Sequence, residues 1–352
     1  MWDYVWIAED GMKMQGYNGS QLWDTAFAVM AILKHPNGIE FSAAIRKAYD
    51  YIKKTQVDDD VPYRKNFFRH RSKDMWPFST KSHGWPISDC TSHALESVLL
   101  AHEKNVVAPK DRIPDERLKG AAKAIIAFQN EDGGYPTYEP KRGSSFLEYL
   151  NPAATFGKIM VDYSYVELTS SAVCALCLYA KTTEDELADG IRVAVGKAVK
   201  YIKSEQREDG SWYGSWGICF TYAIFFAVRA LVAAGERNCR EINKATQFLL
   251  GKQREDGGWG ESYKSAETKE YVQLSSQVVN TSWALIALME AGCEDVEAIE
   301  RGIDLLMSRQ TADGDWEQEQ ISGVFNANCM ITYTSYRNVF PVWALSLYAE
   351  KY

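Results

Sequence analysis

The sequence lacks the excess of positive charge that a nucleic-acid partner requires. Its 352 residues include 39 lysines and arginines against 47 aspartates and glutamates, a formal net charge of −8. No basic stripe offsets that balance, so a phosphate-backbone partner is disfavoured. Histidine is also scarce, with five residues. Apolar residues make up 46% of the chain, which is ample for a sizeable core, and the composition predicts a globular protein.

The sequence also lacks a secretory signal and a long uninterrupted apolar run. The stretch MWDYVWIAEDGMK has neither a basic leader nor a continuous apolar segment. The most apolar segment, 218–235, contains Arg229 and is interpreted as a buried helix. Seven scattered cysteines favour buried thiols in a reducing compartment, and Cys174 and Cys177 are assigned to a core helix. We therefore expect an intracellular protein.

Strand signals are scarce, whereas one helical pattern recurs along the chain. Four segments each end a helix in Gln, continue through an acidic Asp-Gly turn and finish in an aromatic residue; they are 121–135, 197–212, 244–259 and 301–316. A degenerate fifth copy, KAYDYIKKTQVDDD, places Gln56 at the same point. The glycines permit a positive φ, and the aromatic residue is expected to fold back onto the preceding Gln. We predict one all-α domain over residues 1–352, an α/α barrel with an inner and an outer ring of helices.

The stretch WPISDCTSHALE, residues 85–96, places one acid before an apolar helical run. One interpretation is helix capping, in which Ser88 or Asp89 accepts a bond from a first-turn N–H group. The other is catalysis by Asp89, with Trp85, Pro86 and Ile87 as an apolar wall. The residues alone leave both open.

Specific motifs over nearly the whole chain resemble the squalene and oxidosqualene cyclases. The helix-ending turns resemble the QW repeats of that family, and SDCTSHA resembles its Asp-Cys-Thr-Ala-Glu motif. Further similar segments are YNGSQLWDTAF, WPFST, DGSWYGSWGICFTY, GGWGESY and YTSYRNVFPVWAL. Family members are considerably longer, and the similarity covers their C-terminal half.

The resemblance implies an acid-initiated cyclisation of oxidosqualene, a small apolar substrate, without metal or cofactor. Asp89 would protonate the epoxide as general acid, and Cys90 would supply the adjacent thiol donor. Electron-rich rings would stabilise the cationic intermediates. The positions implied to line the cavity are Trp23, Phe78, Tyr138, Trp216 and Phe340.

Two positions depart from the family pattern near the acid. His93 stands where the family has Glu in the network that returns a proton to the acid, and it is interpreted either as a proton relay or as a packed residue. Leu168 stands where sterol cyclases commonly have a second cysteine that donates to the acid. Without that donor, the pKa of Asp89 is expected to be higher. If Asp89 is not the acid, Asp162 and His93 are the next candidates.

Three further positions are implied to steer the product, and they are Tyr17, His83 and Ile87. That combination resembles the members of the family that form cycloartenol rather than lanosterol. The resemblance also implies an endoplasmic-reticulum or lipid-droplet location, peripheral membrane association and a separate N-terminal half as partner. The alternative is a truncated, catalytically inactive barrel, which would be either a pseudoenzyme or a lipid-binding fragment.

Two other enzyme classes are weighed against this assignment. The run Asp58, Asp59 and Asp60 would suit a diphosphate–Mg²⁺ site, but no second carboxylate cluster accompanies it, and a solvated turn is favoured. A protein prenyltransferase would share the barrel but needs an Asp, Cys and His zinc set, and none of the five histidines has a convincing spacing to cysteine.

Overall fold

The computed structural model describes residues 5–8, 11–14, 16, 18–153, 157–183, 185–325 and 329–352. Helices dominate this part of the chain. In chain order they are α1 (Gln21–Lys34), α2 (Ser42–Thr55), α3 (Ser88–Glu103), α4 (Asp115–Phe128), α5 (Val166–Thr182), α6 (Ala188–Ser204), α7 (Phe220–Ala233), α8 (Arg240–Lys252), α9 (Lys264–Thr268), α10 (Val278–Ala291), α11 (Val296–Ser308) and α12 (Tyr336–Lys351). Two short antiparallel hairpins pair β1 (Val5–Ala8) with β2 (Gly11–Met14) and β3 (Gly323–Phe325) with β4 (Cys329–Ile331).

Six helices of the described residues form a closed inner ring. Their order around the ring is α1, α3, α5, α7, α10 and α12, and α12 packs back against α1. Most residues of α7 and α10 are buried, because each of these helices contacts two ring neighbours and an outer helix. An inner helix is therefore apolar around most of its circumference.

The outer ring is built from amphipathic helices. These are α2, α4, α6, α8 and α11, each of which packs against at least one inner helix. Their buried residues recur at helical spacing, as in α11, where Ile299, Gly302, Ile303 and Leu306 face inward. The predicted all-α class and the α/α barrel are confirmed.

The helix-ending turns join neighbouring outer helices through carbonyl groups. Gln253 Nε2 donates to Gly257 O at 2.8 Å and to Ala298 O, in the next outer helix, at 2.7 Å. The Trp259 indole N–H donates to Leu249 O at 2.7 Å. The glycine has φ +87°, and a Cβ there would lie 2.5 Å from Arg301 O. Glycine is therefore required both by the turn and by the close approach of the next helix.

Three further turns repeat all or part of these contacts. The Gln side chain donates to the turn glycine and to the next outer helix in two of them, centred on Gln129 and Gln206, and to the turn glycine alone at Gln310. Trp212 and Trp316 also donate their indole N–H groups to a carbonyl at the end of their own helix, whereas the Tyr135 hydroxyl is buried without a hydrogen-bond partner. The hydrogen bonds of the Gln amide go to carbonyl oxygens, and the packing of the aromatic ring onto the Gln stays a prediction.

The degenerate fifth copy, at Gln56, forms the same kinds of hydrogen bond, but the residues that take the glycine and aromatic positions lie 18 and 20 positions after the Gln. Gln56 donates to Asp74 O at 2.8 Å, and its longer contact of 3.4 Å reaches Arg117 O in α4. Asp74 takes the glycine position with φ +69°, and Trp76 donates to Ile52 O at 2.8 Å. Residues 57–73 are thus inserted inside an otherwise equivalent turn.

No helix in the described residues is both long and apolar enough to cross a bilayer. The segment 218–235 forms α7, a buried helix of the inner ring. All seven cysteines are free thiols, and the pair at 174 and 177 lies on α5.

Candidate active site

Asp89 lies in the first turn of α3, half-buried at one end of the inner ring. Ile87 holds the N-cap position with extended backbone, so no side chain caps this helix in the usual way. Ser88 instead donates its hydroxyl to Pro136 O. Asp89 Oδ1 accepts the Cys90 N–H at 2.7 Å. The capping interpretation is therefore wrong for Ser88 and holds for Asp89 only in this single contact.

The surroundings of Asp89 favour its protonated form. Burial raises its pKa to about 6, against the lowering effect of hydrogen bonds from the N–H and the thiol of Cys90, and the charge of Asp162 raises it further. Burial and the charge of Asp89 also raise the pKa of the Cys90 thiol, which stays a protonated donor. Such an acid holds its proton to a higher pH than an ordinary carboxyl does, and it becomes a carboxylate with a donor beside it.

Two more carboxyls, those of the half-buried Asp162 and the buried Glu167, lie near Asp89. Asp162 accepts the backbone N–H groups of Thr137 at 3.1 Å and Tyr138 at 2.6 Å, so it holds the loop that carries Tyr138. Glu167 Oε1 accepts the N–H groups of Ser215 at 2.5 Å and Trp216 at 3.0 Å. Each carboxyl thus organises the next loop at this end of the barrel.

Glu167 is a residue that the sequence analysis missed. Burial raises its pKa to about 7, with a contribution from the charge of Asp89, and its Oε2 is buried without a hydrogen-bond partner. The sequence does mark this residue, because Glu167 is the single acid in the apolar helical stretch YVELTSSAV, directly before Leu168. Leu168 itself is fully buried.

His93 lies one turn after Asp89 on α3 and is fully buried. Its Nε2 is 2.9 Å from Ser171 Oγ on α5, and its Nδ1 is 3.6 Å from Glu96 Oε2. Burial lowers its pKa, although Glu96 acts in the opposite direction. His93 is therefore both packed and hydrogen-bonded, and the two interpretations given to it are compatible.

The five expected cavity-lining aromatics fall into two layers. Trp23 donates its indole N–H to the buried Tyr336 hydroxyl at 2.8 Å, and Phe78 lies 5.9 Å from Trp23 between ring centroids. Phe340 is fully buried and packs against Tyr336 at 5.0 Å.

The second layer is half-buried and nearer the loops. Tyr138 packs against Trp85 at 5.6 Å, and Trp216 packs against Tyr165 at 5.6 Å and Phe325 at 5.2 Å. These loops are the ones held by Asp162 and Glu167. The role of the five rings as cavity lining stays a prediction.

The positions expected to steer the product are partly described. Ile87 is buried at the start of α3, and His83 is half-buried with a buried, unpartnered Nδ1. Tyr17 lies outside the described residues.

The aspartate run 58–60 has structural partners. Asp58 pairs with Lys81 and, at 2.9 Å, with Arg117. Asp60 Oδ1 accepts the N–H groups of Ser72 at 2.7 Å and Lys73 at 3.0 Å. These carboxylates stabilise the inserted segment of the fifth turn.

Solved structures share this architecture at low sequence identity. The type II terpene cyclase MstE from Scytonema aligns over 98% of this chain and 92% of its own, with a TM-score of 0.58 and 14% identity. The ent-copalyl diphosphate synthase from Streptomyces platensis aligns over 93% of this chain and 50% of its own, with a TM-score of 0.59 and 13% identity. At such identity the likeness concerns the fold alone.

Similar sequences give a more specific relationship. Cycloartenol synthase from Dictyostelium discoideum is 50% identical over 353 residues, which cover 99% of this chain and 50% of the relative. Lanosterol synthase from Homo sapiens is 45% identical over 358 residues, covering 99% and 49%. The chain thus spans about half the length of these relatives. Residues 19–350 match the family described as "Squalene-hopene cyclase C-terminal domain", and the chain belongs to that family.

Proposed function

We propose that the chain is the acid-bearing half of an oxidosqualene cyclase that forms a sterol precursor. The observation that carries this proposal is Asp89, a half-buried acid whose pKa is raised to about 6 while a thiol and an N–H group of Cys90 face its carboxyl. Similarity to proteins named cycloartenol synthase and lanosterol synthase supports the choice of substrate.

Asp89 would transfer its proton to the epoxide oxygen, and the ring carbon left electron-deficient would be attacked by the nearest alkene. Cys90 would stabilise the resulting carboxylate by hydrogen bonding. The rings of Trp23, Phe78 and Trp216 would stabilise the migrating cation, each by about 0.5–2 kcal/mol. Loss of a proton from the last cation would restore neutrality, and His93 would return a proton to Asp89.

We also propose that a segment equivalent to the other half of the relatives covers this end of the barrel. Phe67, Phe68, Tyr149 and Leu150 are each more than 60% exposed. Arg142 bonds to Phe68 O and to Glu139, so the backbone at Phe68 lies against the loop that contains Glu139 and Arg142. Large exposed apolar side chains of this kind are typical of a patch that another body covers.

A lipid surface is the other occupant to be tested for this patch. Association with membrane or lipid droplets at the endoplasmic reticulum is part of our proposal for the assembled enzyme. Flotation of the chain with phosphatidylcholine vesicles, compared with Phe67→Ser/Phe68→Ser, would decide whether the patch binds lipid without the other half.

The decisive experiment joins this chain to the N-terminal half of the Dictyostelium cycloartenol synthase and supplies oxidosqualene. Mass spectrometry of the extracted lipids is expected to detect a cyclised product. Asp89→Asn is the matched control, because it removes the proton and keeps the shape; turnover should fall at least 10²–10⁴-fold. A chimera as active with Asn as with Asp would place the acid elsewhere, first at Glu167 or Asp162.

An inactive chimera would favour the alternative of a barrel without catalytic function. His93→Glu and Leu168→Cys then show whether the two departures from the family pattern are responsible. Recovery of turnover in either variant would assign the loss to that position, and no recovery would reject the cyclase proposal.

Cycloartenol is the proposed product, on the resemblance carried by Tyr17, His83 and Ile87. Ile87 is the N-cap residue of α3, two positions before the acid, so its bulk can fix the position of the cation. Ile87→Val in the chimera is expected to release lanosterol-type products. A mixture dominated by lanosterol or a pentacyclic product from the unmodified sequence would refute this assignment.

A further inference from the structure

His93 is enclosed by groups that leave its two ring nitrogens facing different partners. The rings of Trp23, Phe27 and Phe226 surround the imidazole at centroid distances of 5.3, 4.6 and 5.8 Å. Nδ1 faces Glu96 Oε2 at 3.6 Å, and both of these atoms are buried without another partner. Nε2 faces the Ser171 hydroxyl at 2.9 Å.

Glu96 is held as a carboxylate. Burial alone would raise its pKa, but the Arg229 guanidinium and His93 lower the pKa to about 2. Arg229 Nη2 lies 2.7 Å from Glu96 Oε1, and its guanidinium lies 4.7 Å from the Trp343 ring and 5.3 Å from the Phe225 ring. Since Arg229 occupies Oε1, Oε2 is the oxygen left for the histidine.

This arrangement decides which nitrogen of His93 carries the proton. A carboxylate oxygen only accepts, so the negative charge of Glu96 Oε2, 3.6 Å away, favours hydrogen on Nδ1. In the neutral imidazole Nε2 is then an acceptor, and Ser171 donates to it. Ser171 Oγ also lies 2.9 Å from Glu167 O, so its single proton has a second acceptor when Nε2 becomes protonated.

We infer that Glu96, held by Arg229, is the positioning residue that fixes His93 with Nδ1 protonated and Nε2 free to take and release a proton. The inference rests on the proposed cyclase function, in which Asp89 needs one proton for each turnover. A proton taken at Nε2 gives an imidazolium paired with Glu96, while Ser171 turns its hydrogen to Glu167 O. When Nε2 releases that proton, the neutral imidazole is restored and the Ser171 hydroxyl donates to Nε2 again.

The tautomer of His93 can be measured in the full chain without substrate. In a ¹⁵N-histidine NMR spectrum, His93→Gln identifies the signals of this residue among the five histidines. We expect Nδ1 to be of the protonated type and Nε2 of the unprotonated type. The opposite assignment in the unmodified protein would overturn the inference, and this measurement requires no destabilised variant.

Glu96→Gln provides the sharper test. The amide has one oxygen, which Arg229 claims, so its NH₂ group faces Nδ1 and should invert the tautomer. Glu103→Gln is the control, because Glu103 lies on the same helix and pairs with Lys181 at 3.7 Å away from His93. An unchanged tautomer in Glu96→Gln would contradict the positioning role. Either result is independent of the Asp89→Asn experiment, which tests the cyclase function itself.

Discussion

Asp89 and Glu96 are two carboxyls on one helix, seven residues apart, with opposite properties. Both are removed from water to a large extent, yet the pKa of Asp89 is raised to about 6 and that of Glu96 is lowered to about 2. Arg229 makes the difference, since its guanidinium reaches Glu96, whereas the groups that face Asp89 are neutral donors of Cys90 and the like charge of Asp162. Burial disfavours the charged form of both carboxyls. The neighbouring groups decide whether a carboxyl stays protonated or is stabilised as a carboxylate by a cation.

Removing the guanidinium of Arg229 should have the largest effect on the difference between the two carboxyls. Arg229→Met leaves Glu96 charged and unpaired in the interior, and we expect the free energy of unfolding to fall by about 3–5 kcal/mol. Urea unfolding measures the loss. The double variant Glu96→Leu/Arg229→Met should recover most of it, because no charge remains buried. A double variant as unstable as the single one would show that packing, rather than charge, is responsible.

Acid should destabilise the protein through Glu96. Its folded-state pKa lies below the unfolded value, so its stabilising contribution is full above about pH 4.5 and is lost as the pH falls toward 2. A shift of this size corresponds to about 3 kcal/mol in the free energy of unfolding. Unfolding curves between pH 5 and 2 measure it. In Glu96→Leu/Arg229→Met this part of the acid dependence should disappear.

Asp89 should produce the opposite slope at higher pH. Its folded-state pKa lies above the unfolded value, so the folded protein holds the proton longer and stability declines as the pH rises from about 4 to 6. Asp89→Asn should remove that decline and raise the free energy of unfolding at pH 8 by about 2 kcal/mol, discounted for partial exposure. An equal pH dependence of the free energy of unfolding in the two proteins would mean that the folded structure does not destabilise the Asp89 carboxylate.

The smallest effect is expected at a site remote from both carboxyls. Gln253→Ala removes the bonds to Gly257 O and Ala298 O and should lower the free energy of unfolding by about 1–2 kcal/mol. Its dependence on pH should match that of the unmodified chain. A changed pH dependence would connect this turn to the two acids and weaken the distinction between Asp89 and Glu96.

Much of the fold could be predicted from local patterns. The apolar helical spacing and the Gln-to-aromatic turns predict helices with defined ends, because glycine at positive φ is a local requirement. The turn at Gln56 could be recognised only in part. Its glycine is replaced by Asp74 and its aromatic partner is Trp76, beyond an insertion that no fixed spacing reveals.

The site was predictable where a motif marks it and not where packing creates it. Asp89 and His93 belong to a short recognisable stretch. Glu167 and Glu96 gave only the weak signal of an acid within a helix, and their opposite pKa directions depend on residues from other helices. Ser171 and Arg229 meet His93 and Glu96 only because α5 and α7 are consecutive neighbours in the ring.

The sequence by itself determined the helices, the turns between them and the acid at the head of α3, because these follow from periodicity, backbone preference and one continuous motif. The tertiary structure alone decided the protonation of the buried groups. A pKa depends on the charges and donors within a few ångströms, and in this barrel those groups come from helices far apart in the chain; Glu96 and Arg229 are separated by 133 positions.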